Sequence, residues 1–448
     1  MAQVESTAGM IDVDRAAQGE WLSWTRMSDF AQSAPPVIVG GDGPYVIDQD
    51  GRRLLDCVSG LFTTQIGYSH GARIGAAAAT QLERLGFYPN WAATHPAALA
   101  LTDRILGLAP AGLTRLFLTS GGSESVESAW KLARQHHLAK GQHTRRKVIA
   151  RRGAYHGCSL GALSLTGIPA ARAPFEPLLG DARHVANTDG RNCPICRETG
   201  NACSHAADAV EQQILAEGPD SVAMVIIEPV QNAGGCLVPP PGYAKALREI
   251  CDRYGVLLCC DEVITGYGRL GEWFGSTRLG FEPDIITSAK GMTSGYAPLG
   301  GVLFSDKVAE PFLTAKGVYT HGYTFGGHPL SCAIALENLA IMDELNVLQN
   351  VRDTEGYLES TLNDVAASSP IAVEARGAGF FRALELTSAD LLAPAREAVR
   401  RHGVIVRLDD RVRPFLAVSP PLISTRAHVD ELGAALRAGL AEVAAARA

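Results

Sequence analysis

At 448 residues, with 46% hydrophobic and 19% charged residues, the chain has the composition of a folded protein large enough for two or three domains. A formal net charge of −7 provides no global basic footprint for nucleic acid. No apolar run approaches the roughly 20 residues of a membrane-crossing helix, and Met1–Asp14 lacks the basic and apolar regions of a secretory signal. A cytoplasmic protein without membrane or nucleic-acid partners is therefore expected.

The first thirty or so residues read as an arm with Trp21, Trp24 and Phe30 as anchors. From Pro36 to Asp56, "VIVGGDGPYVIDQDGRRLLDC" alternates apolar runs with Gly-Asp and Asp-Gly turns, which predicts antiparallel strands. Between Leu113 and Phe304, short apolar runs alternate with helical segments: Leu116–Leu118, Val148–Ala150, Val222–Ile227, Val256–Cys260, Ile285–Thr287 and Gly300–Phe304. Continuous apolar strands of this kind belong to a mostly parallel sheet covered by helices on both faces. After Pro329 helical periodicity dominates. Short strands are predicted near Phe380–Leu386, Val404–Val406 and Leu416–Ser419. A last amphipathic helix carries Val429, Leu432, Leu436, Leu440 and Val443 on one stripe. The expectation is an α/β chain. Residues 1–70 supply the arm and antiparallel strands of a small domain, 71–328 form a large α/β domain, and 329–448 complete the small α+β domain.

Most of the ten cysteines sit singly in apolar runs, as Cys57, Cys236 and Cys251 do, where a buried thiol is the ordinary reading. Cys193, Cys196, Cys203 and His205 form C-x2-C-x6-C-x-H in a polar stretch. They are either a tetrahedral zinc set or a surface insertion with free thiols.

Open α/β sheets bind ligands beyond the carboxyl ends of their strands, so the residues after each apolar run are the candidates. Thr119-Ser120-Gly121-Gly122-Ser123 feeds a helix N-terminus, which suits a phosphate, or is a plain junction capped by Ser123. Asp261 ends the next informative run; an acid there needs a partner, such as a pyridinium N–H, unless it caps a turn. Lys290, between small residues in "SAKG", is either a desolvated nucleophilic amine or a surface lysine. Tyr155 is placed to stack on a flat ring. Glu228 follows Val222–Ile227, and Thr324 offers a hydroxyl beside a Gly-Gly pair. Taken together, a phosphate turn, a ring-nitrogen acid, a stacking aromatic and a carbonyl-capturing lysine describe one ligand, pyridoxal 5′-phosphate.

With these motifs in place, the chain resembles the class III, or ω-, aminotransferases of the fold-type I pyridoxal-phosphate enzymes, from about Pro36 to the final helix. The most specific segment is "CDEVITGYGRLGEWFGSTRLGFEPDIITSAKGMTSGYAPLGGVLFSD", Cys260–Asp306. The resemblance implies a seven-stranded-type sheet sandwiched by helices and a ping-pong transfer of an amino group from an amine or amino acid to pyruvate or 2-oxoglutarate. Lys290 is then the cofactor anchor and proton shuttle, and Asp261 the partner of the pyridine nitrogen. Val263 and Tyr155 cover the ring faces, Gly122 and Ser123 take the phosphate, and Glu228 supports the network. Thr324 resembles the phosphate ligand donated by a neighbouring subunit, which implies a homodimer with a shared site, or a tetramer of such dimers. Phe62, where the ω-amine:pyruvate branch usually has Trp, and Trp91 fall in the substrate-binding set. Arg407 resembles the mobile arginine that binds a substrate carboxylate, and Arg413 is its rival in a lengthened loop; surface arginines are the plainer reading. Ile264, where the γ-aminobutyrate and acetylornithine branches usually carry Gln, points to the ω-amine:pyruvate branch. No catalytic metal is expected.

A decarboxylase or aminomutase would keep the same anchors. The remote rival is a serine hydrolase: Gly157-Cys158-Ser159-Leu160-Gly161 fits G-x-S-x-G. Against it, the preceding strand ends early for a nucleophile elbow and no HGGG-type motif is present.

Overall fold

The six apolar runs between Leu113 and Phe304 become strands of a single sheet, because each is apolar on both faces and can only be buried between layers. The computed structural model describes residues 3–6, 9–12, 16, 19–30, 35–193, 196, 205–314 and 317–447. Its largest sheet has seven strands: β1 (Leu113–Thr119), β2 (Lys147–Arg151), β3 (Ala182–Val185), β4 (Val222–Ile227), β5 (Leu257–Asp261), β6 (Ile285–Ser288) and β7 (Gly300–Ser305). Their spatial order is β1-β7-β6-β5-β4-β2-β3. β7 is antiparallel to both neighbours, and the other pairings are parallel. The mostly parallel sheet is thus the expected one. β3 is a strand that periodicity does not reveal: "ARHV" lies at the sheet edge, where half-exposed polar residues replace the apolar run.

Helices cover the sheet. Helix Gly122–Ala139 packs Val126, Ala129, Trp130 and Ala133 against β4, β5, β6 and β7. Besides a two-stranded ribbon of Gln3–Ser6 with Gly9–Asp12, two four-stranded, mainly antiparallel sheets lie outside it. One runs Ala372–Ala378, Phe381–Leu386, Phe415–Val418, Arg407–Asp409. The other joins distant parts of the chain: Ile38–Asp42, Tyr45–Asp48 and Arg53–Asp56 form a meander, and Val404–Ile405 adds in parallel to Arg53–Asp56. The final helix, Arg426–Ala445, buries the stripe Val429, Leu432, Leu436, Leu440 and Val443. Among the described residues, no helix is long and apolar enough to cross a membrane.

Candidate active site

The carboxyl ends of β1, β2, β4, β5 and β6 lie on one edge of the sheet, and the residues following them line a single cavity. Gly122, Ser123, Tyr155, His156, Glu228, Asp261, Val263 and Lys290 all face it. Beyond β1 the chain enters helix Gly122–Ala139 through Gly121, which has no side chain to cap the first N–H groups. Those donors and the positive end of the helix dipole are left for an anion. A Cβ on Gly122 would stand 3.0 Å from Cγ1 of Val263, so glycine keeps this passage open. Ser123 Oγ accepts the N–H of Cys158 at 3.1 Å, which ties the turn to the loop after β2.

Asp261 closes β5 and is buried. One carboxylate oxygen is 2.7 Å from His156 Nδ1, and the other accepts the Val263 N–H at 3.2 Å. His156 is also buried, and its Nε2 has no hydrogen-bond partner among the described residues. Glu228, past β4, accepts the N–H groups of Tyr155 (3.1 Å) and Asn232 (3.0 Å). Burial raises its pKa, against the pull of nearby His156.

Lys290 follows β6 in a left-handed conformation, φ +45°, which is costly for a side-chain-bearing residue. The flanking structure holds it there. Ser125 Oγ donates to the Ser288 carbonyl (3.0 Å), while Asn338 Nδ2 donates to the carbonyls of Gly291 and Met292 (both 3.0 Å). Next to Lys290, a Cβ on Gly291 would overlap the Gln65 amide at 2.1 Å. Burial pushes the Lys290 amine down from 10.5 to about 8; Asp261 opposes the shift and Arg407 adds to it.

The substrate side is built from the small sheets. Phe62 is buried with φ +61°, edge-on to Phe381 at 5.6 Å. Its ring centroid is 5.8 Å from Lys290 Nζ and 5.7 Å from Arg407 Cζ, so it neighbours both groups. Three arginines crowd this end, and their partners separate them. Arg411 is bonded to Asp409 and lies 5.3 Å from the Tyr155 ring. Arg413 donates from Nε to Asp189 (2.8 Å) and pairs with Glu385. Arg407 has neither an ion pair nor a hydrogen bond among the described residues and stands against Phe62. Arg413 is thus held by buried carboxylates outside the cavity, unlike Arg407.

The Ser159 hydroxyl donates to the Glu127 carboxylate at 2.7 Å, at the N-terminus of helix Leu160–Leu165, a packing contact that adds to the grounds against the serine-hydrolase alternative. Trp91 and Thr324 are not brought to the Lys290 cavity of their own chain. Trp91 lines a separate surface hollow with Tyr319, His321 and Tyr323, and Thr324 is exposed beside it. Cys193, Cys196 and His205 converge, whereas Cys203 lies outside the described residues. Sequence reasoning passed over two residues. His156 is adjacent to Tyr155 in "AYHG", and a histidine two strands from a buried Asp was its signal; Arg411 had none beyond its place between two rival arginines.

The residues present fit pyridoxal 5′-phosphate: free helix N–H donors for a phosphate, a buried carboxylate for a ring N–H, Tyr155 and Val263 for its faces, and a depressed-pKa amine for its aldehyde. Comparison with known proteins agrees. The family model for class-III aminotransferases matches residues 29–440. A probable aminotransferase of Mycobacterium tuberculosis is 43% identical, with 94% of this chain and 92% of that protein covered. A putrescine–pyruvate aminotransferase of Pseudomonas aeruginosa is 34% identical, with 97% and 98% covered. A solved (S)-enantioselective ω-transaminase of Thermomicrobium roseum superposes with a TM-score of 0.91 at 36% identity, covering 96% of this chain and 98% of that one. The chain belongs to the class-III aminotransferases and is a pyridoxal-phosphate-dependent enzyme of fold-type I.

Proposed function

We propose that the enzyme moves an amino group from an amine or ω-amino acid to a keto acid, pyruvate or 2-oxoglutarate, in two half-reactions at one site. The observation that carries this reading is the guanidinium of Arg407, without an ion pair among the described residues and 5.7 Å from the Phe62 ring that also neighbours Lys290: a carboxylate-binding group and an apolar side chain both stand near the reactive amine. The similar Pseudomonas aeruginosa protein is named for a diamine donor and pyruvate, which fits such a two-sided pocket.

When bound, pyridoxal phosphate supplies the electron sink that loosens the bonds at the substrate's amine-bearing carbon. Lys290 Nζ, about half neutral at pH 8, would anchor the cofactor, take the substrate Cα proton and later return it. The Asp261 carboxylate, oriented by His156 and the Val263 N–H, keeps a ring-nitrogen proton in place. Glu228 fixes the backbone of Tyr155, so that this ring and Val263 exclude water from the two faces. Gly122 and Ser123 bind the phosphate, and Thr324 reaches it from a second copy, whose Trp91 adds to the substrate wall. A homodimer follows from this reading; we place it in the cytoplasm and divide each chain into a large domain, 71–328, and a small one, 1–70 with 329–448.

A donor–acceptor panel followed by the cofactor spectrum is the test. Amines should change the spectrum without an acceptor, with release of a ketone or aldehyde, and a keto acid should restore it while being converted to the amino acid. Loss of carbon dioxide from an amino acid, with no transfer to any keto acid, would instead mean a decarboxylase and end the proposal.

A further inference from the structure

Two cysteines and a histidine outside the catalytic cavity converge in a way that the transamination chemistry does not use. Their ligand atoms, Cys193 Sγ, Cys196 Sγ and one ring nitrogen of His205, all lie within 4.8 Å of one another. His205 Nδ1 is 3.2 Å from Cys196 Sγ and 3.9 Å from Cys193 Sγ. Ligands on a tetrahedral zinc, with Zn–S near 2.3 Å and Zn–N near 2.0 Å, stand roughly 3.5 Å apart, and these two separations bracket that value. Both cysteines are half-buried and pack against the main core. His205 occupies the N-cap position of helix Ala206–Glu217 but makes no side-chain capping bond, so its ring serves the cluster instead of the helix. We propose that Cys193, Cys196 and His205 hold a structural zinc ion, bound as thiolates and a neutral imidazole. The fourth coordination position lies beyond what these three ligands define; Cys203, close by in sequence, falls outside the described residues.

The surroundings indicate what the ion would fix. Just before the cluster, Asp189 caps the turn Gly190–Asn192 and holds Arg413 from the loop that also carries Arg411. Arg191 reaches Glu374 and Glu385 on the small antiparallel sheet. One short segment therefore links the zinc ligands, the small sheet and the arginine loop beside Tyr155. A metal there substitutes for the apolar core that a polar insertion cannot build.

The holoenzyme, expressed with zinc in the medium and purified without a metal-affinity step, should carry about one zinc per chain by elemental mass spectrometry after dialysis. Exchange with cobalt(II) should produce thiolate charge-transfer bands and d–d bands in the red, clear of cofactor absorption. C193S and C196S should each reduce retained zinc to less than about a tenth while keeping the cofactor spectrum, which separates lost ligation from lost folding. K290A should keep its zinc, because the ligand set does not depend on the catalytic lysine. Less than about a tenth of a zinc per wild-type chain would overturn the proposal, as would cobalt uptake without thiolate bands or undiminished zinc in C193S.

Discussion

The titration of Lys290 gives the most direct test of the site. With the amine at about 8, about a tenth of the molecules carry a neutral, nucleophilic Nζ at pH 7 and about nine-tenths at pH 9. A lysine left at 10.5 would be neutral in about three molecules per ten thousand at pH 7, so the cavity increases the reactive fraction roughly 300-fold. The sign follows from burial: desolvation penalises the charged form, and the amine gains reactivity as pH rises through its folded value. Competitive acetylation of cofactor-free enzyme by a small anhydride, read at the Lys290 peptide by mass spectrometry, measures this directly. Labelling should rise with a midpoint near pH 8 and level off, whereas an ordinary solvated lysine keeps climbing past about pH 10. Asp261→Asn should move the midpoint lower still, since that carboxylate is the principal group stabilising the ammonium. A wild-type midpoint near 10, or an upward shift in Asp261→Asn, would refute the account of the cavity.

Four further outcomes follow. Arg407→Ala should raise KM for keto acids by about 10- to 100-fold, the loss of a charge-assisted pair, and change KM for simple amines by less than about threefold; equal effects on both would remove Arg407 from carboxylate binding. Arg413→Ala should leave that KM ratio near wild type, since Asp189 and Glu385 already hold this side chain. Glu262 is fully buried and accepts from the N–H groups of Gly275 (2.8 Å) and Ser276 (2.6 Å) and the Thr265 hydroxyl (2.6 Å). Glu262→Ala should therefore cost about 3 kcal/mol or more, seen as a lower denaturant midpoint, and a change below about 1 kcal/mol would contradict it. Mixing Lys290→Ala with Thr324→Ala chains should regain activity in the hybrid, where one site has an intact lysine and an intact threonine from opposite chains. Were Thr324 to serve its own chain, no hybrid would recover.

Much of the fold could be read from the sequence because burial on both faces leaves an unmistakable pattern. "VAMVII" can be little other than a central parallel strand, and β4 is buried at every position. "ARHV" failed for the opposite reason: an edge strand needs only one apolar residue, and β3 has only Val185 buried. The cofactor half of the site was legible because each residue follows directly on a strand end. The arginines were not. In "VRLDDRVRPF" three guanidiniums fall within seven residues, and their partners lie at very different distances along the chain: Asp409 is two residues from Arg411, whereas Asp189 is 224 positions from Arg413. His156 lay in plain view, yet no spacing rule connects it to Asp261, 105 residues later.

The parallel pairing of Val404–Ile405 with Arg53–Asp56 bears on how such an enzyme can diversify. Phe62 lies a few residues beyond one of these strands and Arg407 beyond the other, so under the proposed function selectivity would hang from a separate ribbon, apart from the layer that carries Lys290, Asp261 and Ser123. Remodelling that ribbon can admit bulkier or uncharged partners and leave the reactive apparatus intact. New reactant preferences should accordingly arise first among residues 53–62 and 404–411.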